Sequence, residues 1–245
     1  AGTGGGTDRV AVRIFQINSA GPMPYALVYE CTVLLAAKYP EAPAPRPWTS
    51  TRDSPPIANP DDQLYSLGMF HGPRLQGVKS VRRWSDEAIE ADMVTIPRHD
   101  YFTFTTNPVF RTDATLLDSA SQTVGYWLTE KFNWGFNCFP FHLGHFTQYA
   151  DPLPGGTKVI CRGDIRMSDR YRIEAHLDVF DESGRLIMRA ANWEDRKFTV
   201  PAQVYGFRMQ PQSAYLSEAW LPEGFRVTVG DAAPRHVGQR RQRQL

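Results

Sequence analysis

Residues 114–132 read ATLLDSASQTVGYWLTEKF, and this stretch decides the architecture. Leu117, Ala120, Val124, Trp127 or Leu128, and Lys131 or Phe132 recur at helical spacing, which predicts a helix over Ala114–Phe132. Thr112 and Asp113 stand where a side-chain oxygen would cap its first turn. Downstream come the aromatic-rich segment 133–149, a Pro/Gly turn over 151–156, and three strand-like runs at 157–167, 171–180 and 185–200. The last two are joined by Asp181-Glu182-Ser183-Gly184.

Working upstream, residues 100–106 are β-like, and the stretch before them, back to residue 61, is amphipathic or irregular. Seven prolines fall between Pro40 and Pro60, where neither regular element can persist, so a connector is expected over 40–60. Segments 8–17 (DRVAVRIFQI) and 26–37 (ALVYECTVLLAA) are predicted to form an antiparallel pair turning through 18–24. Residues 1–7 read as a flexible leader, and the tail at 223–245 carries the one basic cluster, Arg235, Arg240, Arg241 and Arg243. An antiparallel sheet covering a single long helix is an α+β layer arrangement, and a hot-dog fold has this form.

Composition narrows the function. With 27 Lys plus Arg against 26 Asp plus Glu, the near-balanced charge argues against a general nucleic-acid binder. No apolar run approaches the roughly 20 residues that a membrane crossing needs. Cys31, Cys138 and Cys161 form neither a disulfide framework nor a zinc-like pair, and the amino terminus lacks the regions of a secretory signal. A cytoplasmic setting is expected.

Two segments can carry chemistry. In LLDSASQ, Asp118 and Gln122 are four residues apart and project from one helix face. Desolvation would raise the pKa of Asp118 and the helix dipole would lower it. Should desolvation win, Asp118 is a proton donor to a leaving hydroxyl; the alternative is that both side chains only hydrogen-bond around the helix start. In FHGPRLQG, residues 70–77, Gly72 permits close backbone approach, Pro73 fixes direction, and His71 is titratable, which suits either a pocket lip or a surface loop. His142-Leu143-Gly144-His145 offers two histidines three apart, but Pro140 and Gly144 disfavour the helix that metal binding would need, and no metal is expected. The glycines near the amino terminus lack a phosphate-loop context, and neither a nucleophile elbow nor a zinc-protease motif occurs.

Taken in order, FHGPRLQG and LLDSASQ resemble the dehydratase domains of polyketide synthases and of related polyunsaturated fatty acid synthases. WEDRKF at 193–198 followed by Pro201 is similar to the closing strand of the iterative, enediyne-like branch. The resemblance implies a double hot-dog with a partial first unit: terminal strands of that unit at 8–39, a linker at 40–60 and a second unit at 61–222. It implies elimination of water from a β-hydroxyacyl thioester on acyl carrier protein, giving an α,β-unsaturated thioester. Asp118 would be the acid and Gln122 its helper, with His71, Gly72 and Pro73 shaping the pocket and Phe110, Tyr126 and Phe139 lining it. No metal or redox cofactor is implied, since the phosphopantetheine arm belongs to the carrier protein; the partners would be that protein, other synthase domains and a second copy in a homodimer.

The family's histidine base in an H-x-x-x-G-x-x-x-x-P motif is not matched by any of the six histidines. Its source is then an upstream segment, another chain, or none at all; His71 or His142 is a candidate substitute. The competing readings are a noncatalytic acyl-binding or dimerisation module and a hot-dog thioesterase.

Overall fold

The computed structural model describes residues 7–17, 25–48, 50, 52–67, 69–99, 101–106, 108–132 and 135–200. The leader, the turn expected at 18–24, and everything from 201 onward, including the basic tail, lie outside the described residues.

Strands β1 (Asp8–Ile17) and β2 (Tyr25–Leu35) pair antiparallel as a separate two-stranded sheet. Adjacent residues such as Leu27 and Val28, or Leu34 and Leu35, point to opposite faces and are all at least half exposed. A bare hairpin of this kind is marginal in water.

The main body begins with a short helix, α1 (Leu64–Leu67), and the hairpin β3 (Val78–Trp84) and β4 (Ala88–Val94). The long helix α2 (Ala114–Phe132) follows, then β5 (Phe136–Gln148), β6 (Lys158–Met167), β7 (Arg172–Asp181) and β8 (Leu186–Thr199). The six later strands form one sheet in the order β3-β4-β6-β7-β8-β5, with every neighbouring pair antiparallel. This sheet packs on α2, whose residues are buried around most of its circumference, Trp127 and Leu128 completely. An α+β hot-dog results, with the helix at its centre.

Asp113 caps that helix as expected, its Oδ1 accepting from the Leu116 N–H at 3.0 Å and from the Thr115 hydroxyl at 2.7 Å. Buried hydroxyls on α2 return to the helix's own carbonyls, Ser119 to Thr115 and Thr129 to Gly125, which satisfies them without a partner from the sheet. The Trp127 indole donates to the Ser85 carbonyl at 2.8 Å.

Two expectations are corrected. Residues 78–94 form a strand hairpin, not an irregular stretch: Glu90 and Asp92 are neutralised across strands by Arg82, Arg83 and Arg162, which lets charged residues occupy a sheet. Of the β-like run expected at 100–106, the described residues 101–106 contain only the isolated bridge Phe102↔Thr105 within turns. The aromatic segment after the helix is the edge strand β5, where the missing N–H of Pro140 is tolerated and the register shifts between Pro140 and His142.

The proline-rich stretch is fastened to the body. Arg46 bonds Asp178 at 3.1 Å and Asp164 at 2.9 Å, and Arg189 reaches Asp178 from the other side at 2.6 Å. Burial pulls the Asp178 pKa up, but hydrogen bonds from Arg189 and Arg46 outweigh it and hold the carboxyl below its ordinary value. Further along, the Glu130 carboxylate accepts from the backbone N–H groups of Ile57, Ala58 and Asn59 and from the Asn59 side chain.

Candidate active site on the central helix

Asp118 and Gln122 lie one turn apart in the amino-terminal half of α2, on the face toward α1 and the 70–77 loop. Gln122 is 3% exposed and its amide is fully engaged: Nε2 donates to Asp118 Oδ2 at 2.8 Å and to the Leu75 carbonyl at 2.7 Å, while Oε1 accepts from the Tyr65 hydroxyl at 2.8 Å. The Tyr65 oxygen in turn accepts from the Val78 N–H at 2.8 Å. Burial pushes the Tyr65 phenol up to about 12, so it is neutral at ordinary pH. The Asp118 side chain is 36% exposed, which gives a substrate access to it while its Oδ2 stays tied to the helix.

The loop after α1 brings the imidazole. His71 Nε2 stands 3.8 Å from Asp118 Oδ2, and the His71 side chain is only 13% exposed. Phe70 stacks on the imidazole at 4.6 Å, and Phe139 of β5 follows at 5.9 Å from Phe70. Pro73 opens a 3₁₀ turn, Pro73–Leu75, which aims the Leu75 carbonyl at Gln122. Gly77 is the point of closest approach, since a Cβ there would lie 2.2 Å from Ser119 Oγ. Gly72, by contrast, has φ −69 and open space beside it, so the close backbone approach expected there occurs at Gly77 instead.

His71, Asp118 and Gln122 are thus brought together, with Phe139 connected through Phe70. Phe110 belongs to a neighbouring ring cluster with Tyr101 and Phe102; the Tyr101 hydroxyl donates to the Arg74 carbonyl in the same loop. Tyr126 does not line an opening: it is 1% exposed, its hydroxyl donates to the Leu64 carbonyl, and it packs edge-on behind Tyr65 at 6.4 Å. His142 is exposed on β5 opposite Glu194 and makes no contact with Asp118 among the described residues, so its position does not suit a substitute base. Tyr65 was not singled out from the sequence. The available signal was a tyrosine six residues before the His-Gly-Pro motif, with a hydroxyl that needs a partner once buried.

Chemically, this is a carboxyl held on a rigid element, with one oxygen bonded to an amide donor and an imidazole beside it. Such a group can give a proton and hold the resulting charge. Among the described residues no cluster of three or more His, Cys, Asp or Glu side chains has the arrangement of a metal site. No helix among them is long and apolar enough to cross a membrane.

The family described as polyketide synthase dehydratase N-terminal domain matches residues 42–204. The chain belongs to this dehydratase family. The dehydratase match takes in the fastened proline-rich stretch together with the hot-dog and the Asp118 site. No curated protein matches the chain. Solved dehydratase domains share its fold at low identity. One is the trans-AT polyketide synthase dehydratase domain from Brevibacillus brevis, at 14% identity and TM-score 0.57, covering 78% of this chain and 65% of that one. Another is the dehydratase domain of PpsC from Mycobacterium tuberculosis, at 15% and 0.52, covering 79% and 65%. A third is the dehydratase domain from the CurJ module of the curacin polyketide synthase, at 15% and 0.53, covering 78% and 64%. The chain therefore spans a little under two thirds of the length of the dehydratase domains it matches.

Proposed function

We propose that this chain carries the acid side of a dehydratase that eliminates water from a β-hydroxyacyl thioester presented on the phosphopantetheine arm of an acyl carrier protein. A base takes the proton α to the thioester, its C–H electrons become the new double bond, and the Cβ–O bond breaks as Asp118 gives its proton to the departing oxygen. Water leaves, and the Asp118 carboxylate is held by the Gln122 N–H until the proton on the base is returned. The observation that carries this reading is the placement of Asp118, bonded to Gln122 at 2.8 Å while its side chain stays 36% exposed. The family match supports the reaction class. The PpsC dehydratase domain has been solved with C12:1-CoA, which supports an acyl thioester as the ligand class.

In this reading the base is a histidine supplied by the portion of the domain that the chain does not span. A CurJ dehydratase structure is of an inactive histidine-to-phenylalanine mutant, in keeping with that requirement in a relative. Hairpin β1–β2, apolar on both faces, would complete the sheet of that other unit. Other synthase domains and the carrier protein would be the partners.

In the complete dehydratase, Asp118→Asn, nearly isosteric, is expected to lower turnover of a β-hydroxyacyl thioester by roughly 10²-fold or more with unchanged thermal unfolding. Undiminished turnover would reject Asp118 as the acid.

A second reading is favoured by the 3.8 Å separation of His71 and Asp118. Here His71 itself takes the α-proton. His71→Phe then abolishes turnover as fully as Asp118→Asn, whereas the first reading leaves it reduced but measurable.

A further inference from the structure

We propose that Tyr65 is a positioning residue which, by locking the amide of Gln122, places the transferable proton of Asp118 on Oδ1 and keeps it off Oδ2. The inference rests on the reading of Asp118 as the acid, and deepens it.

A phenol has one hydrogen to give. The Val78 N–H, a backbone donor that cannot reverse its polarity, bonds the Tyr65 oxygen at 2.8 Å, so the phenolic hydrogen is directed onward to Gln122 Oε1 at 2.8 Å. An amide whose oxygen receives that hydrogen must turn its NH₂ the opposite way. Both N–H bonds are then committed, one to the Leu75 carbonyl at 2.7 Å and one to Asp118 Oδ2 at 2.8 Å. Gln122 is buried, so water does not take over either bond. Because Oδ2 faces an N–H, a proton placed there would oppose another hydrogen. In neutral Asp118 the proton therefore sits on Oδ1. The high pKa of Tyr65, about 12 through burial, keeps it a donor across the working pH range. Among the described residues, the titratable groups facing Asp118 are Tyr65, on α1, and His71, in the loop that follows it.

Without the Tyr65 hydroxyl, the buried Gln122 Oε1 loses its donor and the amide is oriented by the Leu75 carbonyl alone, so the N–H that Asp118 Oδ2 accepts is less firmly aimed. In the complete dehydratase, Tyr65→Phe is accordingly expected to lower kcat about tenfold with little change in KM. In a Gln122→Ala background, Tyr65→Phe should leave kcat unchanged. Equal, additive losses of kcat in both backgrounds would show a merely structural role and overturn the proposal.

An activity-independent measurement separates this inference from the reading beneath it. In the full chain, the side-chain amide ¹⁵N and ¹H signals of Gln122 should be protected from exchange, and Tyr65→Phe should shift them. Rapid exchange of those protons in the unsubstituted protein would refute the locked amide even if Tyr65→Phe failed to fold. Full turnover by Asp118→Asn would instead refute the acid assignment while leaving the amide measurement interpretable.

Discussion

Asp195 offers a quantitative test of how the sheet treats a buried carboxyl. It lies on the core face of β8 opposite the fully buried Ile173 of β7, is 3% exposed, and accepts from the Trp193 indole N–H at 2.7 Å. Burial raises its pKa from 3.8 to about 7, the Trp193 bond only partly opposing the shift. The folded-state value is above the unfolded one, so between about pH 4 and pH 7 the unfolded chain releases this proton first. Stability is then highest at the acid end of that window and falls as pH rises through it. A shift of about three units at 1.36 kcal/mol each amounts to about 4 kcal/mol. Asp195→Asn keeps an oxygen for Trp193 and removes the titration. Urea unfolding of both proteins at intervals from pH 4 to pH 8 should show the variant gaining on the parent with increasing pH, by up to about 4 kcal/mol at the top. A misfit of the new amide would offset the whole curve but not its slope. A difference that does not grow with pH would refute the reasoning.

Two further outcomes concern the supports of the site, alongside those given for Asp118 and Tyr65. Glu130→Ala removes the acceptor for Ile57, Ala58 and Asn59 and should cost about 2 kcal/mol, with faster amide exchange at those three residues; unaltered exchange would contradict the assigned bonds. Gly77→Ala places a methyl 2.2 Å from Ser119 Oγ and should destabilise by about 1–3 kcal/mol in chemical unfolding, with partial recovery when Ser119→Ala is added. A stable Gly77→Ala protein with intact Ser119 would show that the loop has more room than the geometry allows.

The central helix was legible because its apolar period is long and Asp113 marks its start. Strands β6 to β8 were legible because their side chains alternate cleanly. Hairpin β3–β4 was not, since Arg82, Arg83, Glu90 and Asp92 obscure the alternation and are reconciled only by ion pairs across the hairpin and from Arg162 on the distant β6. Pro140 and Gly144 likewise hid β5, because nothing local reveals that a segment will sit at a sheet edge. Of the site, the Asp118–Gln122 spacing could be read directly. The meeting of His71 with Asp118 and the bond from Tyr65 to Gln122 are tertiary facts spanning dozens of residues, beyond any local pattern.

The fastening of the proline-rich stretch bears on where this protein can be cut. An excision starting at residue 61, where composition alone draws the border, would discard Arg46 and leave Asp178 with Arg189 as its remaining guanidinium, and would strip the Glu130 cradle of its backbone donors. The stretch is better regarded as a splint than as a tether. Limited digestion should spare it, and a minimal soluble fragment should begin ahead of Tyr39, whose hydroxyl already grips the Arg111 carbonyl just before the central helix.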